Sequence, residues 1–582
     1  MKFLSITFLL ASSAMMAQPV LRPSNPVGNA GSYDTKIAQG SIFVVLGTNL
    51  GGDTVVLNSA LPIKTNLGNA SIRLTPVSGG AAVDAFMIYT TKNQLAGLLP
   101  SSTPIGDYNL TVTYNGSTSA PGRVTVNAQG FGIVTADSSG SGQAQAQEFR
   151  SSTAFDLNRF TTGALGSFSV APARPGQVIV LYGTGLGADA QSDSTGGTSG
   201  DKTASSNIKV VVGGQEIIPA YAGRASALPG TDQVNFTLPT NVAQGCFVPT
   251  SVKVGSTVSN TVTLAIAPDG QNGCSHPSLT EGQLRSISQG GTLTLGSILL
   301  NKATITITGV PVLGNLDTTS ETVSANFAQY GTGNLAGFGG TQGTSGLGQC
   351  IVNKQLATQD QLITPTVLAL FLDAGAQLTL NGPNASNVAI LRAADKSYLK
   401  LLSTPGIGGG FGGPPPTPII AAGTYTVTGP GGPDVGAFTA TLAMPTPIDW
   451  TNRAVINTIN RASGQTFTWS GGTGGGNNIV AIVGVSGVHS GGTAAAPVYD
   501  SATFACLANA ADGTFTVPSS VLSQMPASSG SIIDGSGISF AGVEMITDPT
   551  KGSFNAPLVK GGTVDTALFS GLVGFLKTIT FQ

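Results

Sequence analysis

The chain has 582 residues, enough for about three to five domains at roughly 100–200 residues each. Only 9% of residues are charged, 41% are hydrophobic and glycine occupies 81 positions, a balance that argues against intrinsic disorder and for many short strands joined by small-residue turns. The 25 basic and 27 acidic residues give a net charge of -2 and form no basic stripe, so a nucleic-acid partner is not expected.

The chain opens MKFLSITFLLASSAMMAQP. Lys2 supplies a positive start, Phe3 to Leu10 an apolar run, and small residues offer cleavage after Ala14 or Ala17. Residues 1–17 are therefore expected to be a secretory signal peptide. No cysteine follows the apolar run to take a lipid, and no later stretch reaches the ~20 apolar residues of a membrane-spanning helix. The expectation is an exported protein, extracellular or at the cell surface, with no integral membrane segment.

An internal repeat comes next. GSIFVVLGTNLGGD (40–53) aligns with GQVIVLYGTGLGAD (176–189), NASIRLTPVSGGAAVDAFMIY (69–89) with SNIKVVVGGQEIIPAYAG (206–223), and QLAGLLPSSTPIGDYNLTVTYNGSTS (94–119) with QVNFTLPTNVAQGCFVPTSVKVGSTV (233–258). Each copy closes on an alternating strand, Val124–Val126 and Val262–Ile266. Turn signals every 8–12 residues over ~100 residues predict a β-sandwich at 18–128 and another at 158–268. Alternation such as Ile208, Val210 and Val212 turns one face inward. The stretch 129–157 is poor in apolar pattern and reads as a linker, or as an interdomain arm carrying a short strand.

Gly183-Thr184-Gly185-Leu186-Gly187-Ala188 matches the G-x-G-x-x-A dinucleotide fingerprint. That chemistry needs a following helix to aim amides at phosphate. The residues after Ala188 show no helical period, and the first copy carries Asn49 where the second has Gly185. The turn is read as a glycine-dependent sandwich turn, and no cofactor is expected.

The order P-G-Q-V-I-V-L-Y-G-T-G-L-G, V-V-V-G-G-Q, Y-A-G and Q-V-N-F-T-L-P resembles the IPT/TIG-like, immunoglobulin-type domain of secreted, Solibacter-type acidobacterial proteins of unknown function. The resemblance covers 158–268 closely and 24–128 more loosely. It implies an Ig-like sandwich in an extracytoplasmic setting and brings no catalytic residue. Further on, GAFTATLAMPTPIDWTN, TFTWSGG and GTFTVPSSVL resemble C-terminal regions of the same proteins.

Four cysteines allow three pairings. Cys246 and Cys274 flank the end of the second repeat and close a short loop, so their pairing is favoured; Cys350–Cys506, which would join distant segments, is the second pairing put forward. Isolated buried thiols are the alternative. The C-terminal half is also β-rich and is divided into units at 275–443 and 444–582, with 292–310 read as two or three strands and 404–418, rich in Gly and Pro, as a loop. Helical periodicity appears only at Val521–Met525 and Ala567–Leu576.

Catalytic signals are sparse. His276 and His489 lack metal-ligand spacing, and His489 beside Ser486 and Ser490 lacks a nucleophile elbow. Asp189, Asp193 and Asp201 sit in turn contexts. Trp450 is the candidate glycan contact, while Trp469, alternating with Phe467, is expected in the core. No catalytic, cofactor or metal residue is assigned. The expectation is an all-β, non-enzymatic exported structural or adhesion protein, with a polysaccharide-binding module as the alternative. Its partner would be an extracellular protein or a carbohydrate.

Overall fold

The computed structural model describes residues 18–582 except 24, 152–153, 191–192, 198–199, 227, 277–278, 289–290, 311–313, 332–345, 357–368, 408–417, 473–475, 494–495 and 529–536. The expected signal peptide and most of the 404–418 loop lie outside the described residues. The fold is all-β, with tandem sandwiches followed by a larger β unit. Strand counts below refer to the described residues.

The first sandwich sets a six-stranded sheet around Ile42–Thr48 and Gln94–Leu98 against another around Gly106–Tyr114 and Ala70–Pro76. Period-two patterning drives this. In Ala70–Pro76, Ala70, Ile72 and Leu74 are buried while Arg73 and Thr75 are exposed. They meet Phe43, Val45 and Leu95 of the facing sheet in one core. Each such fully buried large side chain contributes about 1.5–3 kcal/mol.

The second sandwich repeats the plan. Val178–Thr184 pairs with Asp232–Thr237, and Ile208–Val212 pairs with Gly245–Val254 in the facing sheet. Ile208, Val210 and Val212 all point inward, as their alternation predicts. The stretch expected as a linker is part of this domain. Gly132–Ile133 and Ala146–Phe149 pair with Val178–Thr184, and Phe155–Asn158 continues the sheet. Its inward residues include Ala144 and Ala146, whose small side chains give little apolar signal although both are fully buried.

The C-terminal region has one nine-stranded sheet and one main apolar core spanning Ile298 to Phe581. The boundary expected at 443/444 does not divide that core. Thr292–Val310 is a single strand rather than two or three, and it runs parallel to Thr566–Thr578, with Leu295 opposite Thr566. Ala567–Leu576, read as helical, is therefore strand; its inward residues Ala567, Phe569 and Val573 pack in the core. Val521–Met525 does lie at a short helix, Ser519–Leu522. A four-stranded sheet containing Gly423–Gly429 and Phe438–Met444 contributes Tyr425, Val427 and Ala440 to the same core.

The three bodies are joined by specific bonds. Asn29 Nδ2 donates to the carbonyls of Gly130 and Thr184 at 2.8 and 3.0 Å. Thr184 Oγ1 accepts from Ile42 N at 2.8 Å and donates to Gly230 O at 2.7 Å. Ser101 N and Oγ both donate to Asp193. Helix Glu281–Ser288 packs Leu284 and Ile287 beside Cys246, Cys274 and Phe247, where the second sandwich meets the C-terminal unit.

Candidate functional site

The glycine-rich turn is occupied by the protein itself. Asp232 Oδ2 accepts from the amides of Gly185 and Leu186, both at 2.8 Å. These are the donors a pyrophosphate would need. Asp232 is fully buried, and Arg224 Nε lies 3.3 Å from its other oxygen. Burial raises the carboxyl above its ordinary range, against the opposing pull of Arg224 and the turn amides. Lys202 Nζ donates to the carbonyls of Gly187 and Ala188 at 3.0 and 2.7 Å. The turn is thus a buried joint between strands.

Both cysteine pairs are disulfides, Cys246–Cys274 and Cys350–Cys506. Cys350 and Cys506 sit directly opposite each other on neighbouring strands, which the 156-residue separation hides in the sequence. His276 packs edge-on against Phe247 beside the first disulfide, and burial pushes it down to about 4, so it is neutral at physiological pH. Ser486 faces inward and donates to Pro526 O at 2.9 Å, whereas His489 is exposed on the same strand. Alternation along the strand separates the two. Asp201 makes the turn bonds expected of it, accepting from Thr203 N and Oγ1.

Trp450 corrects an expectation. It is only 2% exposed, and its Nε1 donates to Asn452 Oδ1 at 2.8 Å. It stands opposite Trp469 on paired strands and packs 5.6 Å from the Phe467 ring. A ring so enclosed has no face left to stack on a sugar. Trp469 is in the core as expected, with Nε1 donating to Ala510 O at 2.8 Å.

A cleft of about 420 Å³ opens where the two sandwiches and the C-terminal unit meet. The first sandwich brings Asp34 and Lys36, the second Ser139 and Ser256, and the C-terminal unit Lys354, Arg461 and Ser501. Lys354 Nζ lies 2.9 Å from Asp34 Oδ2. Burial alone would raise Asp34, but the charges of Lys354 and Lys36 outweigh it and hold the carboxyl below its ordinary range. Arg461 Nη1 donates to Met525 O at 2.9 Å, while its Nε is buried with no hydrogen-bond partner among the described residues. The cleft presents fixed positive charge among hydroxyls.

Neither this cleft nor a second unusual group was found by sequence reasoning. Asp34 and Lys354 are 320 residues apart, and no local spacing links them. The second group is Glu148, in the stretch read as a linker. It is 1% exposed and faces Asp156 across paired strands. Neither carboxyl oxygen meets ordinary hydrogen-bond geometry with a partner among the described residues, Asn158 being the polar side chain near enough to oppose the shift. Burial first, and then the charge of Asp156, pushes Glu148 up to about 9. Asp156 is paired with Arg150 at 2.6 Å and is nearly enclosed. No group of three or more His, Cys, Asp or Glu suited to a metal occurs among the described residues, and no helix among them is long and apolar enough to cross a membrane.

No family model matches the chain, and no curated protein matches it. Among solved structures it is similar to SGBP-B from a complex xyloglucan utilization locus in Bacteroides uniformis, at 12% identity over 53% of this chain and 66% of that one, with a TM-score of 0.13. It is also similar to domains 4–9 of the surface layer protein SbsC, at 11% identity over 97% of this chain and 83% of that one, with a TM-score of 0.15. A third is SGBP-B of a Bacteroides ovatus mixed-linkage glucan utilization locus, at 11% identity over 84% of this chain and 94% of that one, with a TM-score of 0.11. The chain thus spans just under two thirds of the first of these, and at such scores the likenesses carry no argument about function.

Proposed function

We propose that the chain is a non-enzymatic exported protein that acts as a structural and adhesive element outside the cell, built from Ig-like modules of the IPT/TIG type. The observation that carries this is how the bodies are joined. Side chains of types that serve chemistry in enzymes, Asn29, Ser101, Asp193 and Asp232, are committed to buried or half-buried bonds within and between the sandwiches. Two disulfides suit an oxidising compartment. A body braced in this way holds its surfaces at fixed spacing, which suits a spacer or adhesion module.

Proteolysis of intact host cells carrying the tagged chain tests the location. Cleavage without lysis is expected, and protection until lysis would overturn the reading. The non-enzymatic part fails if a hydrolytic activity of the purified chain is abolished by His489→Ala or Glu148→Gln.

A further inference from the structure

The cleft at the junction of the three bodies does not end at its own walls. A second hollow of about 380 Å³ lies beside it, and the two share Thr35 and Lys36. The second hollow adds Arg123 and Asp107. Asp107 accepts from Thr125 Oγ1 at 2.6 Å, and Asp34 is held by Lys354. Taken together as one groove flanking Thr35 and Lys36, the two adjoining hollows are lined by four cations, Arg123, Lys36, Lys354 and Arg461, and by two carboxylates already engaged. The groove has a surplus of two positive charges in a chain whose net charge is -2.

We propose that this groove binds an acidic oligosaccharide, with the cations meeting its carboxylate or sulfate groups and the hydroxyl-rich wall meeting its sugar hydroxyls. Each hollow lies within the roughly 300–1,000 Å³ of ordinary ligand sites. Serines from the second sandwich and the C-terminal unit line the wall; Ser256 adds a hydroxyl, and the Ser523 oxygen, its hydrogen given to Ser520 O, can accept from a polyol. Arg461 brings a guanidinium to the wall, its Nη1 held by Met525 O, and a guanidinium charge attracts an anion. Tyr33, the aromatic residue among the described lining residues, is 8% exposed, so recognition runs through charge and hydrogen bonds rather than ring stacking.

The inference rests on the extracellular reading for where such a ligand is met, but binding is tested on the purified, disulfide-intact chain, so its failure leaves the location untouched. Calorimetric titration would use a size-defined oligogalacturonate, a κ-carrageenan oligosaccharide, a neutral cello-oligosaccharide and poly-glutamate. Binding of either acidic sugar is expected, and the tighter of the two identifies carboxylate or sulfate as the preferred anion. The neutral sugar should not bind, and affinity should fall at least tenfold from low to high salt. Lys36→Glu, at an exposed position, should weaken binding at least tenfold with unchanged melting, and Arg461→Gln should act in the same direction. Lys560→Glu, the same charge change at an exposed site outside the groove, should leave binding unaltered. The proposal is overturned if neither acidic sugar binds, if the neutral sugar binds equally, if poly-glutamate binds more tightly, or if Lys36→Glu has no more effect than Lys560→Glu.

Discussion

The same turn occurs twice and is solved in two ways. In the first copy, Leu50 N bonds to the backbone carbonyl of Lys92 at 2.7 Å, and Asn49 takes the left-handed conformation at φ 56°. In the second, the amides of Gly185 and Leu186 turn to the Asp232 carboxylate, and Gly185 sits at φ 109°. A Cβ at Gly185 would collide with Gly130 O, which belongs to the connecting stretch packed over the turn. Asn49, half-buried, carries its side chain in the left-handed region that asparagine tolerates. The Gly-to-Asn difference therefore follows the packing. Where the turn became a joint, only glycine fits, and a carboxylate replaced a backbone acceptor.

The strongest way to break this contrast is at the acceptor. Asp232→Ala strands the Arg224 charge and two amides, and should cost about 3–5 kcal/mol, seen as an early calorimetric transition. Asn93→Ala, the aligned change in the first copy, should stay within about 0.5 kcal/mol.

Glu148 sharpens the contrast, because it lies on a strand from the connecting stretch. Its folded-state value of about 9 exceeds its ordinary 4.5, so the folded state holds the proton more tightly. That contribution is complete below about pH 4.5 and is lost as pH rises towards 9. Relative to Glu148→Gln, the native chain should lose about 1.4 kcal/mol per pH unit across that window. Parallel melting curves of the two proteins from pH 4 to 9 would refute this.

At the turn itself, Gly185→Asn should destabilise by about 1–3 kcal/mol through overpacking against Gly130. Asn49→Gly should change stability by only a few tenths of a kcal/mol, since both residues tolerate positive φ. Equal costs for the two substitutions in chemical denaturation would remove the packing explanation.

Period-two patterning and turn residues made the strand class and both sandwiches readable, because these signals are local. Partner choice is not local. Nothing near Cys350 points to Cys506, and nothing near Asp34 points to Lys354. The stretch 129–157 reads as a linker or arm because only Phe131 and Ile133 among its residues in this core are large, and Ala144 and Ala146 fill the other inward positions, which hydropathy barely registers. Ala567–Leu576 was misread because Leu568, Phe569, Leu572, Val573, Phe575 and Leu576 satisfy a helical stripe as well as a two-sided strand. Trp450 was misplaced because one aromatic in a short strand does not reveal which face is covered; only its pairing opposite Trp469 does.

The parallel pairing of Thr292–Val310 with Thr566–Thr578 has a consequence for biosynthesis. Thr294 and Asp565, bonded at the start of that pairing, are 271 residues apart. An emerging chain makes the first strand long before the second exists, so an edge rich in β-branched residues must wait unpaired. The hairpin partner Gly314–Gly331 can cover one side early, but the other side closes only when the last strands arrive. Removing even the final 20 residues would leave that edge open, and such truncations should accumulate as aggregates rather than as shortened, working protein.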